Sequence, residues 1–283
     1  MNREPMLFLV GTPIGNLEDM SFRAVRVLKE ADIIACEDTR HTVKLLNHFE
    51  IKCKLESYHQ HNMNEKGPKL IQLMLDGKKV ALVSDAGTPG ISDPGEELVK
   101  LANLAGLGVT LIPGPVAGIM GLVLSGLDAT SFLFEGFLPT KKKIRDEKLL
   151  SISRETHTII LYEAPHRIKR TLADLLKTLG NRRFAFAREL TKKFEEVRQM
   201  TLEEGVEHFE ANDPKGEFVL IIEGENPGVS NSERIQKWEE MTVRNHFEMY
   251  IEQGMDRNDA MKLVAKDRGL HKREIYSALI KKD

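Results

Sequence analysis

The four residues Glu37-Asp38-Thr39-Arg40 bring together side chains that could carry out chemistry. They directly follow the apolar run Ile33–Cys36, which predicts a buried strand. A carboxylate in this place can accept a proton, and a guanidinium can bind phosphate or stabilise developing negative charge. We therefore predict Glu37, Asp38 and Arg40 as catalytic residues. The alternative is structural: Asp38 caps a helix and Arg40 pairs with it.

Three glycine-rich loops also follow predicted strands, which is where open α/β sheets bind ligands. The first, residues 11–16 (GTPIGN), lacks the spacing of a dinucleotide fingerprint or a phosphate-binding loop, which argues against a nicotinamide oxidoreductase. The second, residues 84–95 (SDAGTPGISDPG), is longer than a connection requires and favours ligand binding. The third, residues 113–118 (PGPVAG), opens a helix of small residues. Taken singly, the first and third are explained equally well or better by tight turns and helix packing.

The elements that would position these loops alternate between short apolar runs and amphipathic stretches. This alternation predicts a mostly parallel sheet covered on both faces, followed by a second α/β lobe and a helical tail. The connecting segment after Gly224 is polar and rich in turn-forming residues. We expect an N-terminal lobe at 1–118, a second lobe at 119–224, a linker at 225–233 and the tail at 234–283.

Composition limits which partners, metal sites and cellular locations we expect for this protein. The 283 residues contain 41 Lys and Arg against 43 Asp and Glu, so a polyanion would need a local basic patch. Cys36 and Cys53 offer neither a disulfide framework nor paired metal-ligand spacing, and we expect no metal site. The histidines of His59-Gln60-His61 have no metal-ligand partner at a recognisable spacing and are expected in a solvated loop, or in one that contacts RNA or closes the cleft. With no signal peptide or membrane span predicted, we expect a cytoplasmic protein.

An ordered series of motifs resembles the tetrapyrrole methylase superfamily and, within it, the branch of ribosomal RNA small subunit methyltransferase I. The resemblance extends from about Met6 to Gly224, and the tail is similar to the helix-turn-helix extension of that branch. The motifs in chain order are GTPIGN, EDTR, SDAGTPGISDPG, IPGPVAG, FEGFLP, LYEAPHR, ARELTKKFEE and GEFVLIIEG.

The resemblance implies a homodimer of two-lobed subunits that bind S-adenosylmethionine in the cleft between the lobes and methylate a cytidine 2′-oxygen in 16S rRNA. Two residues depart from the pattern: Val116 stands where relatives often have a hydroxyl, and Gly90 where they often have a larger apolar residue. The first departure removes a side-chain hydrogen bond to the donor. The donor-binding residues implied by the motifs are Ile14, Asp85, Ala86, Gly87, Val116, Ala117, Tyr162 and Glu163.

A ribose hydroxyl is a very weak acid, so a general base is expected beside the in-line transfer geometry. Our hypothesis from the residues after the strand Ile33–Cys36 is that Glu37 or Asp38 accepts the proton, while Arg40 orients RNA phosphate or charge in the site. Two basic features predict RNA binding: a flexible cationic loop near the cleft, and a tail with seven Lys or Arg against two acids between Lys262 and Lys282. The tail's helix, glycine turn and helix fit a helix-turn-helix or an ordinary hairpin. The predicted RNA-binding residues are Lys141, Lys142, Lys143, Arg145, Arg167, Lys272 and Arg273.

Two other functions stay open at this point. A methylase of small tetrapyrroles would share the fold and the donor, although the basic tail argues against it. A ribosome-assembly factor without catalysis would bind the small subunit, although it would not need the donor loops.

Overall fold

The computed structural model describes residues 4–225, 241–252 and 255–280. The chain divides into two compact units, Met1–Gly224 and Glu225–Asp283. Apart from Glu225, the predicted linker lies outside the described residues, as do residues 234–240 of the predicted tail.

The first sheet has five parallel strands in the order β3-β2-β4-β1-β5, which confirms the predicted parallel sheet. Leu7 and Leu9 pack into the core on one face, whereas Val10 packs into the core on the other. Both faces are therefore covered, as continuous apolar strands require. The strands are β1 (Pro5–Val10), β2 (Ile33–Cys36), β3 (Lys54–Ser57), β4 (Val80–Val83) and β5 (Gly108–Ile112).

Amphipathic helices cover this sheet. The first begins after Ser21, whose hydroxyl accepts a hydrogen bond from the backbone of Ala24 at 3.1 Å, and buries Val27 and Leu28. Apolar residues at helical spacing thus attach each helix to the sheet and leave its charged face in solvent. The helices are α1 (Phe22–Glu30), α2 (Thr39–His48), α3 (Met63–Leu75) and α4 (Glu96–Leu104).

The second sheet is mixed, with the order β6-β7-β10-β8-β9. Strands β6 and β7 are parallel, and the other pairs are antiparallel. The sequence did not predict β3, β6 or β9. All three are edge strands, and their partly exposed residues break the apolar pattern that reveals a central strand. The strands are β6 (Phe132–Phe137), β7 (Thr158–Glu163), β8 (Arg183–Arg188), β9 (Glu196–Thr201) and β10 (Phe218–Ile222).

Helices also lie against the second sheet. Gly121 brings one of them close to β10, since a Cβ at this position would lie 3.1 Å from Val219. Another ends at Gly180, whose φ of 77° is a conformation that glycine adopts without strain. The helices are α5 (Ala117–Ser125), α6 (Lys142–Ile152), α7 (Ile168–Leu179) and α8 (Leu202–Ala211).

The second unit contains the predicted C-terminal helices: α9 (Val243–Glu252), α10 (Arg257–Asp267) and α11 (Lys272–Ile280). They pack around a small core that includes Phe247, Val264 and Ile275. Gly269, with φ of 64°, lies in the turn between α10 and α11. In the part of the chain that the structure describes, no helix is both long and apolar enough to span a membrane.

Candidate functional site

The three glycine-rich loops are joined to one another at the carboxyl ends of β1, β4 and β5, which are neighbours in the first sheet. Thr12 and Gly87 exchange two backbone hydrogen bonds, of 2.8 and 3.0 Å, which attach the first loop to the second. The hydroxyl of Thr88 donates to the carbonyl of Pro115 at 3.1 Å and attaches the second loop to the third. The loops therefore form one connected surface.

Glycine is required where the first and third loops meet. A Cβ on Gly11 would lie 2.6 Å from the Cα of Gly114, and a Cβ on Gly114 would lie equally close to Gly11. No side chain fits at either position without moving the backbone. The two glycines thus bring the loops together beneath the ligand-binding surface that the sequence predicts.

A cavity of 360 Å³ lies between these loops and the second lobe, within the first compact unit. Its size is in the range of small-molecule binding sites. Of the predicted donor-binding residues, the structure places Ile14, Ala86, Gly87, Val116, Ala117, Tyr162 and Glu163 in its wall.

Asp85 is the predicted donor-binding residue that does not line this cavity. Its side chain is exposed, and its carboxylate accepts a hydrogen bond from the backbone of Asp38 at 3.0 Å. Asp85 therefore connects the loop after β4 to the loop after β2.

Tyr162 connects the start of α5 to the second sheet in the wall of the cavity. Its hydroxyl accepts a hydrogen bond from the backbone of Gly118 at 2.9 Å, near the start of α5. Its ring contacts Phe134 and Phe137 edge-on, with centroids 5.2 and 5.6 Å apart. Burial raises the pKa of this phenol. Tyr162 is therefore a neutral, rigid part of the wall.

The carboxylate of Glu163 is bound within the second lobe. It accepts hydrogen bonds from Thr171 at 2.5 Å and from the backbone of Ala164 at 2.9 Å, and Arg167 pairs with it at 3.1 Å. Its side chain is fully buried. Since the carboxylate already has these hydrogen-bond and ion-pair partners, we expect Glu163 to contact a ligand through its backbone.

Asp93 is a cavity residue that the sequence analysis missed. Burial and the nearby carboxylates of Glu37 and Asp85 raise its pKa to about 6, although a hydrogen bond from Ser84 acts in the opposite direction. The residue before it, Ser92, has φ of 62°, a strained conformation for a non-glycine residue. A carboxylate held in this way is a candidate for binding a cation.

The structure shows Asp38 and Arg40 in the helix-capping and ion-pair arrangement, which is the alternative to a catalytic role. Asp38 caps α2, accepting the backbone hydrogen bond of Arg40 at 2.8 Å, and its carboxylate pairs with the Arg40 guanidinium at 2.6 Å. These contacts hold the pKa of Asp38 far below its usual range, so it is a poor base. Burial and the charge of Asp85 instead raise the pKa of Glu37. Of the two carboxylates, Glu37 is the better candidate for a base, although it does not line the cavity.

The prediction of a flexible cationic loop is wrong, because these basic residues lie at the start of a helix. Helix α6 begins at Lys142, and Lys141 is its N-cap. Lys141, Lys142 and Lys143 are exposed. Arg145 is not available to RNA, since its side chain is 2% exposed and donates to Asp174 at 2.7 Å and to Thr171 at 2.8 Å.

The other predicted RNA-binding residues differ in exposure. Arg167 pairs with Glu163 and donates to the carbonyl of Leu138 at 2.5 Å, so its guanidinium is largely committed to the fold. Lys272 and Arg273 are exposed at the start of α11 in the second unit. Among the residues that the structure describes, no group of three or more His, Cys, Asp or Glu side chains is arranged to hold a metal.

Comparisons with known proteins agree with this architecture. Residues 6–205 match the family described as Tetrapyrrole (Corrin/Porphyrin) Methylases. Among solved structures, diphthine synthase has a TM-score of 0.59 at 15% identity, covering 78% of this chain and 90% of that one. Uroporphyrin-III-C-methyltransferase from Thermus thermophilus has a TM-score of 0.55 at 19% identity, covering 77% and 93%. These structures support the fold.

Sequence relatives are much closer. Ribosomal RNA small subunit methyltransferase I of Halalkalibacterium halodurans is 51% identical, over 96% of this chain and 93% of its own. The proteins of the same name from Bacillus subtilis and Synechocystis are each 46% identical over 96% of this chain, and over 93% and 96% of their own lengths. The chain therefore belongs to the tetrapyrrole methylase family and, within it, to the group of ribosomal RNA small subunit methyltransferases I.

Proposed function

We propose that this protein transfers a methyl group from S-adenosylmethionine to the 2′-hydroxyl of a cytidine in 16S rRNA of the small ribosomal subunit. The observation that carries the proposal is the 51% identity, over 96% of this chain, to a protein named for methylation of small-subunit rRNA. The connected loops and the cavity beside them supply a site for the donor.

The cavity suits the donor chemically. Ile14, Val116 and Ala117 provide an apolar surface for a flat ring, and backbone groups of the loops can bind its polar edges. S-adenosylmethionine carries positive charge on its sulfur and amino group, and Asp93 is the carboxylate of the second loop in the cavity wall. We propose that Asp93 binds this cationic part of the donor.

The donor supplies an electrophilic methyl group, so the main task of the protein is to hold the acceptor oxygen in line with it. We propose Glu37 as the group that accepts the hydroxyl proton. Its raised pKa makes it a better base than Asp38, which caps α2. Asp85, through its bond to the Asp38 backbone, positions this carboxylate-bearing loop relative to the donor loops.

For RNA binding, we propose the exposed cations Lys141, Lys142 and Lys143 at the start of α6 and Lys272 with Arg273 at the start of α11. Such side chains contribute to phosphate binding through charge and make it sensitive to salt.

We further propose a cytoplasmic homodimer. Helix α5 has no charged residue, and its outer side chains Ile119, Val123 and Leu124 are exposed. A helix that is apolar on all sides is normally covered, and a second copy of this chain is the proposed cover. Sedimentation of the wild type and of Val123→Glu tests this, since the proposal requires a dimer that the substitution weakens.

The decisive experiment incubates the protein with labelled S-adenosylmethionine and small subunits that lack the modification. The RNA is then digested to nucleosides. Label in 2′-O-methylcytidine supports the proposal. Donor binding without transfer to RNA would favour a small-molecule methylase, and assay with porphyrinoid substrates would test it. Subunit binding without donor binding would favour a non-catalytic assembly factor.

A further inference from the structure

The segment Glu189–Glu195, here called the 189–195 loop, connects β8 to β9 and has no role in the function proposed so far. Its first two residues, Glu189 and Leu190, lie in the wall of the donor cavity. Phe194 follows Leu190 by four residues, so its Cα lies within about 14 Å of that wall even if the chain were fully extended. The side chains at the far end of the loop are therefore close to the donor cavity.

The loop is held in one conformation by several contacts. Glu189 and Thr191 have φ of 51° and 66°, which non-glycine residues adopt only where the surroundings impose it. The backbone of Thr191 donates to the Glu195 carboxylate at 2.6 Å. The ammonium of Lys192 donates to Glu189 and Glu217 at 3.1 Å each.

The loop also packs against the first glycine-rich loop. A Cβ on Gly15 would lie 2.4 Å from Cγ of Lys192 and 2.9 Å from the hydroxyl of Thr191. This contact fixes the base of the 189–195 loop to the donor side of the cavity. The strain and the packing together make the loop a rigid support.

That support presents an aromatic ring and a cation to solvent. The Phe194 side chain is 69% exposed. The ammonium of Lys193 lies 5.7 Å from the centroid of its ring and has no carboxylate partner among the described residues. The 189–195 loop thus offers an aromatic face and, beside it, an ammonium, which are the two groups that can bind the base and the phosphate of an unpaired nucleotide.

Building on the proposed function, we propose that Phe194 stacks on an unpaired base that flanks the acceptor nucleotide, while Lys193 contacts an adjacent phosphate. Single-stranded RNA is commonly recognised by stacking of its bases on aromatic side chains, with cations along the backbone. A single ring with a neighbouring lysine fits a nucleotide better than it fits a protein interface, which usually needs a continuous apolar patch. The short distance to the cavity explains why the stacked base should be close to the methylated ribose.

The test compares Phe194→Ala with Phe194→Trp and with Phe22→Ala in the full-length protein. Phe22 is a matched control, because it is 97% exposed, lies at the start of α1 and is not one of the residues that line the cavity. Steady-state transfer to unmodified small subunits gives KM and kcat, calorimetry gives donor affinity, and filter retention without donor gives subunit affinity. We expect Phe194→Ala to raise KM and the subunit Kd roughly 5- to 100-fold. Phe194→Trp should restore both, and Phe22→Ala should change neither.

Three results would overturn the inference. They are a KM and subunit Kd for Phe194→Ala within about twofold of wild type, an equal loss of donor affinity, or a change of oligomeric state showing that the ring belongs to an interface between chains. The filter-retention measurement separates this inference from the proposed function. If wild type binds subunits but transfers no methyl group, the function is wrong while the stacking is still tested.

Discussion

The substitution Asp93→Asn tests the donor site most directly, because it removes one charge and leaves the shape almost unchanged. The pKa of Asp93 is raised to about 6 by burial and by two neighbouring carboxylates. A bound cationic donor stabilises the ionised form. Donor affinity should therefore be constant well above pH 6 and fall below it, becoming about tenfold weaker at pH 5 than at pH 8.

The size of the mutational effect follows from the same contact. Hydrogen bonds to charged groups contribute about 1.5–3 kcal/mol, so Asp93→Asn should weaken donor binding roughly 10- to 150-fold at pH 8. The remaining affinity should lose most of its dependence on pH between 5 and 8. Asp76→Asn is the control, because Asp76 is an exposed carboxylate at the end of α3.

Asp93→Asn should weaken donor binding but stabilise the donor-free folded protein. The pKa of Asp93 is higher in the donor-free folded protein than in the unfolded chain, so the free energy of unfolding falls as pH rises from 3.8 to about 6. The ionised Asp93 lowers the free energy of unfolding by at most about 3 kcal/mol at neutral pH. Partial exposure of the side chain reduces this effect to roughly 1 kcal/mol. Asp93→Asn should therefore raise Tm in the absence of donor.

Titration calorimetry across the pH range and thermal unfolding without donor measure both effects. Wild-type donor affinity in Asp93→Asn at pH 8, or an unchanged wild-type Kd between pH 5 and pH 8, would refute the assignment of Asp93. A lower Tm together with weaker binding would show that the side chain supports the loop instead of binding the donor.

Three further predictions concern catalysis, packing and RNA binding. Glu37→Gln should lower kcat at least tenfold with donor affinity retained. Asp38→Asn should lower Tm slightly and keep most turnover, because Asp38 caps a helix. The reverse pattern in the transfer assay would reject Glu37 as the base. Arg145→Met should lower the free energy of unfolding by about 2 kcal/mol, because its two partner side chains lose their donor; an unchanged denaturation midpoint would contradict this role. The double substitution Lys272→Ala and Arg273→Ala should reduce the slope of log Kd for small subunits against log salt concentration by up to about 2, with donor binding unaffected; a slope equal to that of wild type would exclude both side chains from phosphate binding.

The central strands and the loops that follow them could be predicted because their signals are local. Apolar runs such as Ile33–Cys36 and Val80–Val83 are buried on both faces, so their composition reveals them. The edge strand Glu196–Thr201 has a polar sequence and depends on pairing with β8, which a local pattern does not show. The motif resemblance identified the family because it rests on residue identities and their order.

The environment of individual side chains was decided only by the tertiary structure. Lys143 and Arg145 look alike in a basic run, yet one is exposed and the other is buried against Asp174 and Thr171. Asp93 lines the cavity, where burial raises its pKa and the fold adds the charge of Glu37 from another strand end. Burial and charge depend on neighbours that are distant along the chain, so the sequence alone determined the framework and the family, and the fold determined which side chains face the site.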